Sequence, residues 1–124
     1  MLPAASRLRR GAEITAVVRG GERAASSRPA LLVVHLLAGS SPASVPRAAL
    51  VVSRAVGSAV TRNRVRRRLR HLLRERLISS PWNGDLVVRA MPGAARAGYA
   101  ELGSSLDAAL ERAGRPRRAA EVSR

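Results

Sequence analysis

Apolar residues recur at helical spacing in three stretches of the chain and run continuously, at strand length, in three others. The clearest helical stripe is Val65, Leu69, Leu72, Leu73 and Leu77. It predicts a long helix with Ser58 or Thr61 as N-cap and its end at Ile78. Residues 8–18 predict a short helix in which Ile14, Val17 and Val18 share one face, stopped by Gly20 and Gly21. A last helix is expected over 99–112, with Tyr99, Leu102, Leu106, Ala109 and Leu110 on one side and Gly114 as its end. The continuous runs at 30–37, 48–53 and 85–90 have strand length, and the lack of alternation in the first predicts burial on both faces apart from His35. A loose loop through Gly39 and Pro42 suits a hairpin between the first two strands. Residues 23–28 read as a polar connector and 80–84 as a turn.

The expected order is therefore helix, strand, strand, helix, strand, helix. One mixed sheet covered by helices, an α+β (α/β sandwich) arrangement, is the simplest way to bury three apolar strands. Residues 1–114 are expected to form a single domain, and 115–124 a disordered polar tail with no core to join.

Composition narrows the chemistry. The 124 residues include no Phe, one Trp and one Tyr, so the core must be built from Leu, Val, Ile and Ala. With no Cys, disulfides, thiolate metal sites and Cys nucleophiles are excluded. His35 and His71 are far apart in sequence and lack metal-ligand spacing. Net charge is +15, with 23 arginines, no lysine and only 8 acids. The preference for Arg, with abundant Ala, Gly and Pro, is what a GC-rich genome produces, but the excess of positive charge is not explained that way. It points to nucleic acid or an anionic membrane surface. Membrane binding would need bulky apolar anchors opposite the arginines, and in the long helix that face is needed for the core. No stretch has the length or hydropathy of a signal peptide core or a spanning helix, so a cytoplasmic location is expected.

The arginines concentrate on the long helix. On a wheel of about 100° per residue, Asn63, Arg64, Arg67, Arg70 and Arg74 lie opposite the apolar stripe, while Arg66 and Arg68 sit on its two shoulders. Like charges at helical spacing repel by a few tenths of a kcal/mol per pair, so intrinsic helix stability does not account for the pattern. Phosphate contact does, through counterion release and the bidentate guanidinium fork. A merely solvated face is the plainer alternative, but Asn63 at the head of the row is not codon drift. Gly57 reads as the turn residue that enters the helix. The acids form no close cluster, and no Ser, His and acid constellation stands out. His71 reads as a surface residue of the basic helix. The residues describe a basic RNA binder without catalytic machinery of its own. A general or ribosomal-type RNA-binding protein also fits. A helix-turn-helix DNA binder fits poorly, because a strand rather than a packed helix precedes the basic helix.

Across Ser53-Arg54-Ala55-Val56-Gly57-Ser58-Ala59-Val60-Thr61-Arg62-Asn63-Arg64-Val65-Arg66-Arg67-Arg68-Leu69-Arg70 the chain resembles the bacterial ribonuclease P protein component. That family's signature is Ser-Lys-Lys-x-Gly-Asn-Ala-Val-x-Arg-Asn-Arg-x-Lys-Arg leading into a helix. Ser, Gly, Ala-Val and Arg-Asn-Arg fall in register, and roughly residues 6–112 resemble family blocks. The resemblance implies a sandwich whose mixed sheet contains a left-handed β-α-β crossover, against the usual rule. It implies a protein that binds a catalytic RNA through Arg62, Asn63, Arg64, Arg66, Arg67, Arg68 and Arg70. It also implies a cleft for the 5′ leader of precursor tRNA, at positions matching Ser53, Arg54, Ile14, Val18 and His35. The ribonucleoprotein would be an endoribonuclease that removes the leader, with Mg²⁺ held mainly by the RNA. Three departures from the family pattern stand out. Ile14 and Val18 stand where aromatics are usual and His35 where Tyr is frequent. Ala55 replaces the second Lys, and Ser58 replaces Asn. His35 thus reads either as a cleft residue or as a satisfied core histidine.

Overall fold

The computed structural model describes residues 7, 11–25, 31–37, 46–79, 81–82 and 84–114. The expected tail at 115–124, the loop at 39–42, the end of the expected connector at 26–28 and the first residues of the expected elements at 8 and 30 lie outside the described residues. In chain order the elements are α1 (Gly11–Gly20), β1 (Glu22–Ala25), β2 (Leu32–Leu37), β3 (Arg47–Val52), α2 (Ala59–Ser79), β4 (Asp85–Ala90) and α3 (Tyr99–Gly114). Short 3-10 turns occupy Arg54–Val56 and Pro92–Ala95. All the expected helices and strands form.

Two features differ from expectation. Residues 22–25, expected as connector, are the edge strand β1, paired antiparallel with β2 from Glu22↔Leu36 to Ala25↔Val33. An edge strand needs no continuous apolar pattern, and β2 offers it a full row of backbone partners. The hairpin expected between β2 and β3 is absent. The sheet order is β1-β2-β4-β3, so β4 lies between them, antiparallel to β2 and parallel to β3. All of β4 except Arg89 is buried, and β2 and β4, the two strands buried along nearly their whole length, take the two internal places. The unit β3–α2–β4 is then a crossover between adjacent parallel strands.

Side chains alternate across the sheet and give it two packed faces. On one, Leu32, Val34, Leu36, Leu86 and Val88 meet the α2 stripe Val65, Leu69, Leu72 and Leu73, together with Leu102, Leu106 and Ala109 of α3. On the other, Val87 packs with Val17 of α1, joined by Ile14, Val18, Leu37, Ala49 and Val51. The layers are α1, sheet, then α2 with α3. The lone tryptophan belongs to the larger core: Trp82, in the expected turn, is buried and its Nε1 donates to the Arg47 carbonyl at 3.0 Å.

Among the described residues two polar side chains are buried, Asp85 and His35. Asp85 opens β4 opposite Arg47 in the parallel register. Arg47 Nε and Nη2 each donate to an Asp85 carboxylate oxygen at 2.8 Å, and Nη1 donates to Glu13 Oε2 at 2.9 Å. This one guanidinium ties β3, β4 and α1 together, and its hydrogen bonds to Asp85 hold it firmly protonated. His35, on the α1 face of the sheet, is 3 % exposed and neither ring nitrogen has a hydrogen-bond partner. Burial first, then the nearby Arg89 and Arg23, push its pKa below the ordinary value, so it is neutral at pH 7.

Replacing Asp85 with Ala leaves Arg47 with only its Glu13 contact. It should cost on the order of 3 kcal/mol in a urea unfolding titration. His35 sets a pH dependence. Its folded pKa lies below the unfolded value of about 6.5, so as pH falls the unfolded chain takes up the proton first. Its contribution is present above that value and is lost as pH drops through the folded pKa. Thermal unfolding midpoints at pH 7.5 and 5.5 should therefore differ more for the parent chain than for His35→Leu.

Candidate nucleic-acid interface

The entry into α2 fixes where its arginines point. Gly57 has φ 152°, and a Cβ there would lie 3.1 Å from Thr61 Cγ2, so the turn requires glycine. Ser58, not Thr61, is the N-cap: its Oγ accepts from the Thr61 backbone N–H at 3.3 Å. From this start the leucine stripe faces the sheet and the opposite side faces solvent.

The guanidinium groups expected as one binding face divide into two sets. Arg66 and Arg68 on the shoulders, and also Arg64, which was expected on the far side, are tied to backbone carbonyls. Arg64 donates to Ala95 O at 3.1 Å, Arg68 to Ala97 O at 3.1 Å, and Arg66 to Val52 O at 3.5 Å and to Asn63 Oδ1 at 3.2 Å. Arg62 is partly buried, with its Nε enclosed and unpartnered. By contrast Arg67, Arg70 and Arg74 are exposed and have no protein partner among the described residues. Asn63 is exposed too, and because its carbonyl oxygen accepts from Arg66, its amide donors are left for another group. Farther along, Arg76 closes the seam between α2 and α3 with a two-pronged pair to Asp107 at 2.8 and 2.9 Å. Tyr99 lies on the same seam. It was expected on the apolar face of α3, but it is 40 % exposed and its hydroxyl donates to Glu75 Oε1 at 3.2 Å.

The residues expected in a cleft all belong to the sheet face that carries α1, or to the turn beyond it. A cavity of about 190 Å³ opens at the ends of β3 and β4, lined by Val51, Ser53, Ala55, Arg89, Met91 and Pro92. Ser53 is thus part of it, and Arg54 is exposed next in the chain. His35 lies deeper on the same face, with Arg23 as its cross-strand partner. Ile14 and Val18 are not among the lining residues; they are half-buried against Val17 and Val87. Sequence reasoning missed Arg89. Its signal was present, since it is the single charged residue inside the run Leu86–Ala90.

Among the described residues, four of the acids are divided between two arginines. Glu13 and Asp85 are committed to Arg47, and Glu75 and Asp107 to Arg76. Among the described residues no group of three or more His, Asp or Glu could hold a metal ion. No helix among them is long and apolar enough to cross a membrane. What the arrangement offers is a row of unpaired guanidinium groups on one side and a small basic cavity on the other.

Comparison with known proteins agrees with this geometry. The family model described as ribonuclease P matches residues 2–114. A ribonuclease P protein component from a Nocardioides species is 54 % identical over 115 residues, covering 92 % of this chain and 96 % of the relative. One from Streptomyces avermitilis is 50 % identical over 119 residues, covering 90 % and 94 %. The solved ribonuclease P protein of Staphylococcus aureus superposes with a TM-score of 0.74 at 24 % identity, covering 87 % of this chain and 94 % of that one. That of Thermotoga maritima gives 0.72 at 23 %, covering 86 % and 96 %. The fold is shared with these structures, and by sequence the chain belongs to the ribonuclease P protein family.

Proposed function

We propose that this chain is the protein subunit of a bacterial ribonuclease P, the ribonucleoprotein endoribonuclease that matures the 5′ end of tRNA. In this reading α2 docks on the catalytic RNA, and the cavity side of the sheet receives the 5′ leader of precursor tRNA. The observation that carries it is the row Arg67, Arg70 and Arg74, exposed at helical spacing without a protein partner among the described residues, on the helix that the family motif opens. Three unpaired cations aligned on one rigid helix match the spacing of a phosphate backbone better than they serve folding. Arg62, Asn63, Arg64, Arg66 and Arg68 flank this row. Ser53 and Arg54, with His35 farther in and Ile14 and Val18 beneath α1, supply the leader side, to which Arg89 adds a cation.

Chemistry belongs to the partner RNA in this reading. Among the described residues Glu13 and Asp85 are engaged by Arg47, and Glu75 and Asp107 by Arg76, which supports Mg²⁺ held by RNA rather than by these carboxylates. The protein's contribution is to neutralise phosphate repulsion and to position substrate, in the cytoplasm where precursor tRNA is made. The match over 2–114 supports one RNA-binding unit with 115–124 as an appended tail.

Adding the purified chain to a bacterial ribonuclease P RNA at limiting Mg²⁺ should stimulate cleavage of precursor tRNA, and no stimulation would reject the proposal. Arg67→Ala and Arg70→Ala should each weaken binding of that RNA. Each should also flatten the plot of log K against log salt by about 0.7–0.9 per lost phosphate contact, while unfolding is unchanged. Arg68→Ala should behave differently. It leaves the Ala97 carbonyl without its guanidinium partner, so stability should fall by about 1 kcal/mol in addition to any loss of affinity.

A further inference from the structure

The chain is nearly devoid of rings. It has no Phe, one Trp, one Tyr and two His. Two of these are spent inside, Trp82 at 6 % and His35 at 3 % exposure. The other two meet on the surface. His71 of α2 and Tyr99 at the start of α3 have ring centroids 5.9 Å apart at 56°, with Tyr99 40 % exposed and the His71 side chain 63 % exposed. A tilted contact uses the edge of one ring and leaves a ring face open to solvent.

The surroundings of this pair are those of a polyanion site. His71 follows Arg67 by four residues and precedes Arg74 by three, so the three side chains are neighbours on the helix surface. Both arginines are without a protein partner among the described residues. Glu75 is the one carboxylate against the pair. It accepts from the Tyr99 hydroxyl at 3.2 Å and from Arg76 Nη1 at 3.2 Å, and lies 3.9 Å from His71 Nε2. Arg76, which also pairs with Asp107, offsets this charge in part, and the bond from the hydroxyl holds the tyrosine ring in place before any ligand arrives. A fixed, half-exposed tyrosine against a His71 that is itself flanked by unpaired guanidinium groups suits a flat, uncharged π-face attached to a phosphate backbone.

We infer that Tyr99, backed by His71, is a stacking platform for one unpaired nucleobase of the RNA that docks on α2. The inference rests on the reading of α2 as an RNA-docking surface and adds to it a contact outside the arginine motif, contributed by α3. It assigns the base, rather than the phosphate, to the seam between the two helices. Arg67 and Arg74 would hold the phosphates on either side.

The test uses the full chain and an in vitro transcribed bacterial ribonuclease P RNA, with dissociation constants measured over a series of salt concentrations. Tyr99→Ala should weaken binding on the order of tenfold, with an unchanged salt slope, because a neutral ring releases no counterions. Tyr99→Phe keeps the ring and should stay close to the parent. Tyr99→Leu keeps apolar packing against His71 without a π-face and should resemble Ala. It serves as the decisive variant if Tyr99→Ala melts at a lower temperature. Wild-type affinity of Tyr99→Leu, or equal losses for Phe and Ala, would overturn the platform. Arg67→Ala separates the two levels of the argument. If it weakens binding and lowers the slope while Tyr99→Leu does neither, the platform fails and the docking surface stands. If neither variant matters, the docking surface fails with it.

Discussion

Burial of the α2 leucine stripe is the constraint on which the rest of the molecule depends. Val65, Leu69 and Leu73 are fully enclosed and Leu72 nearly so, against a sheet face made of Val34, Leu36, Leu86 and Val88. A helix with this many like charges gains nothing from its own side-chain pairs. Its stability has to come from this contact. The same contact fixes rotation about the helix axis, so it also determines which arginines face solvent. Removing a buried leucine would therefore disturb both the core and the charge array, although no leucine touches a ligand.

Given that rotation, Arg66 and Arg68 are half-buried on the shoulders of the helix, and Arg64 is exposed near them. They are satisfied by main-chain oxygens: Val52 at the end of β3, and Ala95 and Ala97 in the segment leading to α3. These carbonyls lie at the end of a strand or in turns, where the backbone has acceptors to spare. A guanidinium can reach them while its stem covers apolar surface. The positive charge of α2 is thus partly absorbed into the architecture. Only the outermost row keeps its full hydrogen-bonding capacity for an outside partner. The density of arginine in the sequence overstates the number of groups free to bind and understates their order.

Periodicity made α2, α3 and the apolar strands legible, because a stripe at helical spacing and an unbroken apolar run each admit few structures. It could not reveal β1, since Glu22 to Ala25 has no apolar pattern and becomes a strand only because β2 presents an unpaired edge. Nor could run length say which strands are neighbours. The clue to strand order was electrostatic: Arg47 and Asp85 have opposite charges at the starts of two apolar runs, as parallel neighbours pairing in register require. On the cavity side, the family resemblance pointed to Ser53 and Arg54. Arg89 was hidden because a single charge in a strand reads as an interruption until the sheet shows which face it is on.

The segment from Ser53 to Ser58 joins the two surfaces more tightly than their separation on opposite faces of the sheet implies. Ser53 lines the cavity, and its carbonyl accepts from Val56 N–H at 3.1 Å, as that of Arg54 does from Gly57. Gly57 then turns the chain and Ser58 starts α2. No flexible loop intervenes, so the orientation of α2 on any partner also sets the orientation of the cavity. The surfaces differ in chemistry as well. On the cavity side the one ring is His35, buried and neutral between Arg23 and Arg89, so the cavity offers the Arg89 cation, Ser53 and apolar walls but no open ring face. The exposed rings lie at the α2–α3 seam. A single-stranded segment entering the cavity would be gripped through its phosphates with little demand on base identity, whereas recognition through a base π-face belongs to the docking side.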